Sequence, residues 1–218
     1  FGSGTGTLVF NYTGSGSYGF DISGGASSRS YFRHIAGTTN YSGDGSAFGG
    51  NVTVYGGSLT VTNSLKTDAL IVGDTSVGVG TGTGALTVSG TMTVTGAATI
   101  GNQTGTVGTV NVSGTSAELT AGGIIYAGYN GEGTLALSGG ATVTGSIISI
   151  GGDNSLGAGT GTITIDGSSL EATGGQLNVG YGATGSSGLL VVSGTSTITV
   201  NSAIAIGGAA NTSGTLIF

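Results

Sequence analysis

The chain has no proline, no cysteine and no tryptophan among its 218 residues, and only 6% of them are charged. Each absence excludes something. Proline cannot donate to a β ladder and is kept out of interior strands, so a chain without it leaves every backbone N–H free to join one. Without cysteine there are no disulfides and no thiolate metal ligands, a usage that fits an extracellular protein exported unfolded. Three Lys/Arg residues are too few for the phosphate contacts that hold nucleic acid. No apolar run approaches the roughly 20 residues a membrane helix needs. Apolar residues at helical spacing are nowhere sustained.

What is abundant is glycine, 50 residues, beside 37% hydrophobic residues and a net charge of only −6. Collagen requires glycine at every third position together with proline, and this chain has neither. A disordered chain lacks apolar surface to bury, whereas this one carries plenty in short runs. The chain opens Phe1-Gly2-Ser3-Gly4, already inside repeat-like sequence, which implies a segment of a longer precursor without a signal peptide of its own.

The runs repeat. Gly108-Thr-Val-Asn-Val-Ser-Gly114 returns as Gly133-Thr-Leu-Ala-Leu-Ser-Gly139, Gly161-Thr-Ile-Thr-Ile-Asp-Gly167 and Gly188-Leu-Leu-Val-Val-Ser-Gly194. With Gly84 and Gly214, the leading glycines lie 24, 25, 28, 27 and 26 residues apart. Each copy holds two further apolar pieces. In the copy from Gly133 they are Ala141-Thr-Val143 and Ile148-Ser-Ile150-Gly151. Apolar alternates with small or polar in most pieces, the period of a strand with one buried face.

Three short strands per copy, joined by glycine-rich corners, make one coil of a solenoid. A propeller blade would need four strands in about 40–45 residues. The expectation is an all-β, right-handed, single-stranded parallel β-helix of about eight coils, each of 24–28 residues, forming a rod about 40 Å long. Residues 1–218 form one solenoid segment, with regular coils over 57–218 and an irregular, loop-bearing coil over 24–50. A coil over 133–157 points Leu135, Leu137, Val143, Ile148 and Ile150 inward, each contributing at most about 1.5–3 kcal/mol. Ordering about 25 residues costs about 1–2 kcal/mol apiece in backbone entropy. One coil therefore cannot fold alone, and stability accrues through stacking. The outward residues Thr87, Thr93, Asn111, Thr164 and Thr199 keep the rod hydrated.

Phe20-Asp-Ile22-Ser-Gly24, Asn40-Tyr-Ser-Gly43 and Gly50-Asn-Val52-Thr-Val54-Tyr-Gly-Gly57-Ser-Leu59-Thr-Val61 resemble the autotransporter-associated β-strand repeat of bacterial passenger domains. Residues 84–218 resemble the related passenger coils. The resemblance implies a right-handed β-helix at the bacterial cell surface, outer-membrane-tethered or released. It also implies adhesion or self-association, with host or neighbouring-cell surfaces, identical chains or glycans as partners. Such passengers serve in cell aggregation and biofilms.

Chemistry is sparsely provisioned. Glycoside cleavage needs two carboxylates facing one cleft. Glu118 finds no second acid on the next coil, and Glu171 stands two coils on. Gly151-Gly-Asp153-Asn is a fragment of the β-roll calcium motif. His34 alone cannot hold a metal, which needs three or four ligands, and serine is too common for a Ser-His-Asp pattern to mean anything. No cofactor is implied. The expected role is a non-catalytic adhesive stalk. The alternatives are a filament subunit stacking end to end, for which Gly6-Thr-Leu8-Val-Phe10 matches Gly214-Thr-Leu216-Ile-Phe218, and a polysaccharide-active enzyme. The feature that invites binding is the stretch Arg29, Tyr31, Arg33 and His34 with Tyr41, expected as a loop rich in interface-forming residue types. Tyr126, Tyr129 and Tyr181 near the third-strand corners are expected to pack across those corners, with a weak aromatic patch for glycans as the alternative.

Overall fold

Alternating side chains sort by face. Along Glu132–Ser138 and Thr160–Asp166 buried positions alternate strictly with half-buried or exposed ones. The structure is a computed structural model that describes residues 5–25, 29–152, 157–208 and 210–218. Every described strand is parallel to its neighbours, and the chain winds as a right-handed parallel β-helix of about eight turns. Three strands make a turn, and the described residues contain no helix.

The first face stacks Gly57–Val61, Thr83–Val88, Val107–Ser113, Glu132–Ser138, Thr160–Asp166, Ser187–Ser193 and Ser213–Ile217. The second runs from Asp44–Gly45 through Ser64–Thr67, Thr91–Val94, Glu118–Ala121, Thr142–Gly145 and Ser169–Ala172 to Thr197–Val200. The third runs from Asn51–Val54 through Leu70–Val72, Ala98–Ile100, Ile124–Ala127, Ile147–Ile150 and Leu177–Val179 to Ile204–Ile206. The leading glycines Gly57, Gly84, Gly108, Gly133, Gly161, Gly188 and Gly214 are in register, each opposite the next.

Register turns the repeat into columns. Leu59, Leu86, Val110, Leu135, Ile163 and Leu190 stack on the first face. Leu65, Met92, Leu119, Val143 and Leu170 stack on the second. Val52, Leu70, Ala98, Ile125, Ile148 and Leu177 stack on the third. All of them are 0–1% exposed and belong to one continuous core.

The corner between third and first face is closed backbone to backbone. Gly128 has φ +76°, and a side chain there would overlap the Thr160 carbonyl of the next turn. A Cβ on Gly133 would overlap the Gly128 amide nitrogen and the Ile100 carbonyl oxygen. The leading glycine is thus required by close approach rather than by φ: the chain pinches shut there, and whatever lies between the two glycines is extruded as a loop. These loops differ in length, since 102–107 is six residues, 129–132 four and 74–83 ten between successive glycine pairs.

The first rungs depart from this plan. Ser30–Tyr41 is a single 12-residue strand. Its first half pairs with Asn51–Val54 on the third face and its second half with Gly57–Val61 on the first. Gly37, at φ +85°, lies between the two halves. One strand therefore joins two faces into a 16-stranded sheet. The 13-residue strand Gly6–Tyr18 lies on it in the same manner. Two expectations are corrected here. The Arg29–His34 stretch is not a loop, because Ser30, Phe32 and His34 point inward and Tyr31 and Arg33 outward with strand period; polar Ser30 and His34 at inward positions mask the alternation. And Gly6-Thr-Leu8-Val-Phe10 is not the counterpart of Gly214-Thr-Leu216-Ile-Phe218: Leu8 and Phe10 stand over Phe32 and His34 on the third face, whereas Leu216 lies on the first.

Candidate functional site

The five residues expected to bind are divided by the sheet. Arg29 is exposed in the turn before Ser30–Tyr41. Tyr31 and Arg33 are neighbours on the outer surface, the guanidinium carbon 4.6 Å from the Tyr31 ring centroid. His34 and Tyr41 are 0% exposed and face the core. Any surface recognition is left to Arg29, Tyr31 and Arg33.

The two core members belong to an aromatic plug. Phe10 lies 5.0 Å from both Tyr18 and Phe32, and Tyr41 lies 6.0 Å from Phe32 and 6.2 Å from Phe20, centroid to centroid. His34 stands in the aliphatic column above Val54, with Phe10 over it. Its Nδ1 is 2.8 Å from the Gly56 carbonyl oxygen and its Nε2 has no partner. Burial holds its pKa below the ordinary value, against a smaller upward pull from the Gly56 hydrogen bond. The nitrogen facing Gly56 therefore carries the proton of a neutral ring. Burial also pushes Tyr41 up to about 12, opposed by the Ile22 amide and reinforced by Asp21 and Asp44. That amide donates to the Asp44 carbonyl at 3.0 Å, and the Tyr41 hydroxyl is left without a hydrogen bond.

A polar cluster that composition did not announce lies beside Arg33. Asp74 is 1% exposed, and its carboxylate accepts from the Ser76 N–H at 3.1 Å, the Ser76 hydroxyl at 2.5 Å and the Asn102 amide at 3.1 Å. Tyr55, 3% exposed, has its pKa raised by burial, lowered by Arg33 and raised again by Asp74. The signal available in the sequence was positional: Asp74 follows Gly73 as Asn102 follows Gly101, 28 residues on. This is a corner ladder in which each residue satisfies the next, and its groups are occupied by one another.

The loops extruded at the glycine corner line one edge of the rod. Tyr126 and Tyr129 meet edge to face at 4.9 Å, and Tyr181 lies over Gly208 one turn on. Next to Tyr129 a shallow groove crosses three turns, lined by Thr106, Asn130, Glu132 and Thr160 among others. These side chains are amides, hydroxyls and one carboxylate. They can exchange hydrogen bonds with hydroxyl-rich ligands while the tyrosines supply flat apolar surface.

Glu118 and Glu171 do not converge. Glu118 is in register with Thr142 and Ser169, and Glu171 with Thr144, so these two acids differ by two turns and two residues along the strand. Among the described residues no group of three or more His, Cys, Asp and Glu side chains is placed to hold a metal ion. Asp153 lies outside the described residues. Set against protein-family models, curated proteins and solved structures, the chain matches none.

Proposed function

We propose that this chain is a non-catalytic, extracellular β-helical stalk of the autotransporter-passenger type, adhering to host or neighbouring-cell surfaces along its loop-bearing edge. The observation that carries the reading is a repeated frame that extrudes a loop at the same corner of successive turns. Three faces repeat one plan, and the loops after Gly73, Gly101, Gly128, Gly151, Gly180 and Gly207 differ in length and side chain. A rigid frame with variable loops along one edge is how binding residues are displayed by other scaffolds. The edge offers Tyr126, Tyr129, Asn130 and Glu132 but few charges, which suits neutral, hydroxyl-rich ligands such as surface glycans. Each contact is weak, and repetition along the rod and between rods multiplies it.

The test is adhesion by cells displaying the segment. Tyr126→Ala with Tyr129→Ala is expected to reduce adhesion to glycan-coated surfaces by about tenfold, the effect of losing about 1.4 kcal/mol per engaged site. Unchanged adhesion with an intact β circular dichroism spectrum removes the edge as the binding surface. Turnover of any polysaccharide by the purified chain replaces this reading with the enzymatic one.

A further inference from the structure

The corner loops give the edge of the rod an uneven profile. Between successive glycine pairs they hold ten residues at 74–83, six at 102–107, four at 129–132, nine at 152–160, seven at 181–187 and six at 208–213. The loop at 129–132 is the shortest and stands between two longer ones. The groove, about 180 Å³ in volume, lies over it, with Gly105–Val107 on one bank and Ala158–Thr160 on the other. That is room for about six waters, the scale of one sugar ring. The backbone around it is closely packed. A Cβ on Gly131 would lie 2.4 Å from the Gln103 carbonyl oxygen, and one on Gly159 2.1 Å from the Gly128 carbonyl oxygen. The groove is therefore a fixed notch in the edge, formed before any ligand arrives.

Its polar groups are unengaged. Among the described residues, Asp21, Asp44, Asp68, Asp74, Glu118 and Asp166 each accept a hydrogen bond from the rod itself. Glu132 and Glu171 do not. Glu132 is exposed and lines the notch, whereas Glu171 stands in the outward row of the second face between Thr144 and Thr199. Thr106 keeps its hydroxyl within its own loop, donating to the Gln103 carbonyl at 2.8 Å and accepting from the Gln103 N–H at 3.1 Å. The side chains of Asn130, Glu132 and Thr160 have no partner among the described residues. Thr160 is opposite Glu132 in register on the next turn, about 4.8 Å away along the axis. One carboxylate, one amide and one hydroxyl are thus left free to a ligand.

We infer that this notch takes one neutral pyranose ring of a glycan, with a vicinal diol donating to the Glu132 carboxylate while Asn130 and Thr160 hold the neighbouring sugar oxygens. The site rests on the adhesive function proposed for the edge and narrows that edge to one site per chain. Two adjacent hydroxyl donors match the two acceptor oxygens of Glu132, and hydrogen bonds to an ionised acceptor are the stronger class. Glu132 also sets the specificity. No Lys or Arg lines the notch, so an acidic sugar would bring like charges together and is rejected. A calcium-bridged sugar would call for about six to eight oxygen ligands, which one carboxylate does not supply. A lone ammonium would gain only an exposed ion pair, worth little.

The test titrates a panel of methyl hexopyranosides into the isotope-labelled chain and follows backbone amide shifts by nuclear magnetic resonance. At least one neutral hexoside is expected to shift Gly105, Gly131 and Gly159 together and to saturate at one per chain. Glu132→Gln, which keeps the shape and removes the charge, should weaken that binding about tenfold, while Glu171→Gln leaves it unchanged. The uronic acid counterpart of the same hexoside should bind at least about tenfold more weakly. Of its monodeoxy forms, those lacking either of two adjacent hydroxyls should do likewise. Hexosides that move none of these amides, or that bind Glu132→Gln equally well, overturn the inference, as does binding that appears only with added calcium. Shifts confined to Tyr126 and Tyr129 that persist in Glu132→Gln overturn the notch alone and leave the adhesive edge standing. If the notch binds sugar while Tyr126→Ala with Tyr129→Ala leaves cell adhesion unchanged, the site stands and the wider edge does not.

Discussion

At the scale of single residues, Ser30, His34, Thr39 and Thr67 put polar groups at inward positions of the first turns. Thr67 meets the cost by donating to the Gly50 and Ala69 carbonyls, at 2.9 and 2.8 Å, and Thr39 shares a hydrogen bond of 2.6 Å with the Tyr12 hydroxyl. His34 is satisfied on one nitrogen only. Its pKa is lowered in the fold from 6.5, so the unfolded chain takes up the proton first. Its contribution is fully present above about pH 6.5. It is lost as the pH falls toward the folded pKa, at about 1.4 kcal/mol per pH unit, and the loss then levels off. Urea titrations between pH 7.5 and 5 are expected to show this slope in the wild type and its disappearance in His34→Leu. Asp44, also lowered, acts in the opposite chemical sense but in a separate window: the Ser46 backbone N–H stabilises its carboxylate, and that support is lost only as the pH falls below about 3.8. At Gly133 the issue is volume. Gly133→Ala is expected to lose at least about 3 kcal/mol, the severe end of overpacking, whereas Gly175→Ala, whose Cβ would have only an ordinary contact at 3.8 Å, should stay within about 0.5 kcal/mol.

At the scale of the strand, each piece buries one side and wets the other, and the two sides answer differently to truncation. Leu119 is 0% exposed between Met92 and Val143, so Leu119→Ala is expected to cost about 2–5 kcal/mol, read as a fall in urea midpoint. Thr144, outward on the next turn, should tolerate alanine within about 0.5 kcal/mol. This two-sidedness is why the strands from Gly57 onward were legible. Leu135, Leu137, Val143, Ile148 and Ile150 were read as inward from their period alone, and each is 0–1% exposed. Ser30–Tyr41 was not legible, because Ser30, His34 and Thr39 put polar atoms at inward positions and Gly37 hides a corner inside what is still one strand. The same feature obscured the candidate site: once the segment is a strand, His34 and Tyr41 must face away from Tyr31 and Arg33. The Asp74–Asn102 ladder was hidden for a different reason, since its partners come together only after successive turns stack.

At the scale of the whole molecule, every turn contacts chiefly the turns before and after it, so stability is graded along the axis. Within the isolated chain of residues 1–218 the middle turns pair on both sides and the last on one. Amide exchange is therefore expected to be slowest across Glu118–Ala121 and Glu132–Ser138 and fastest across Thr197–Val200 and Ser213–Ile217; uniform protection would mean that the last turn is covered in solution. The strand that serves two faces adds a mechanical asymmetry. At the last turn, Ile204–Ile206 and Ser213–Ile217 are separate strands, and a pull can unzip one before it loads the other. At the first turn, Gly6–Tyr18 is clasped to Ser30–Tyr41 through ten paired positions that bend around the Gly37 corner. Tension applied there loads two walls of the prism together. Stretched through residues 6 and 217, the isolated rod of residues 1–218 should part between the separate strands Ile204–Ile206 and Ser213–Ile217 one wall at a time, while the clasped turn stays shut.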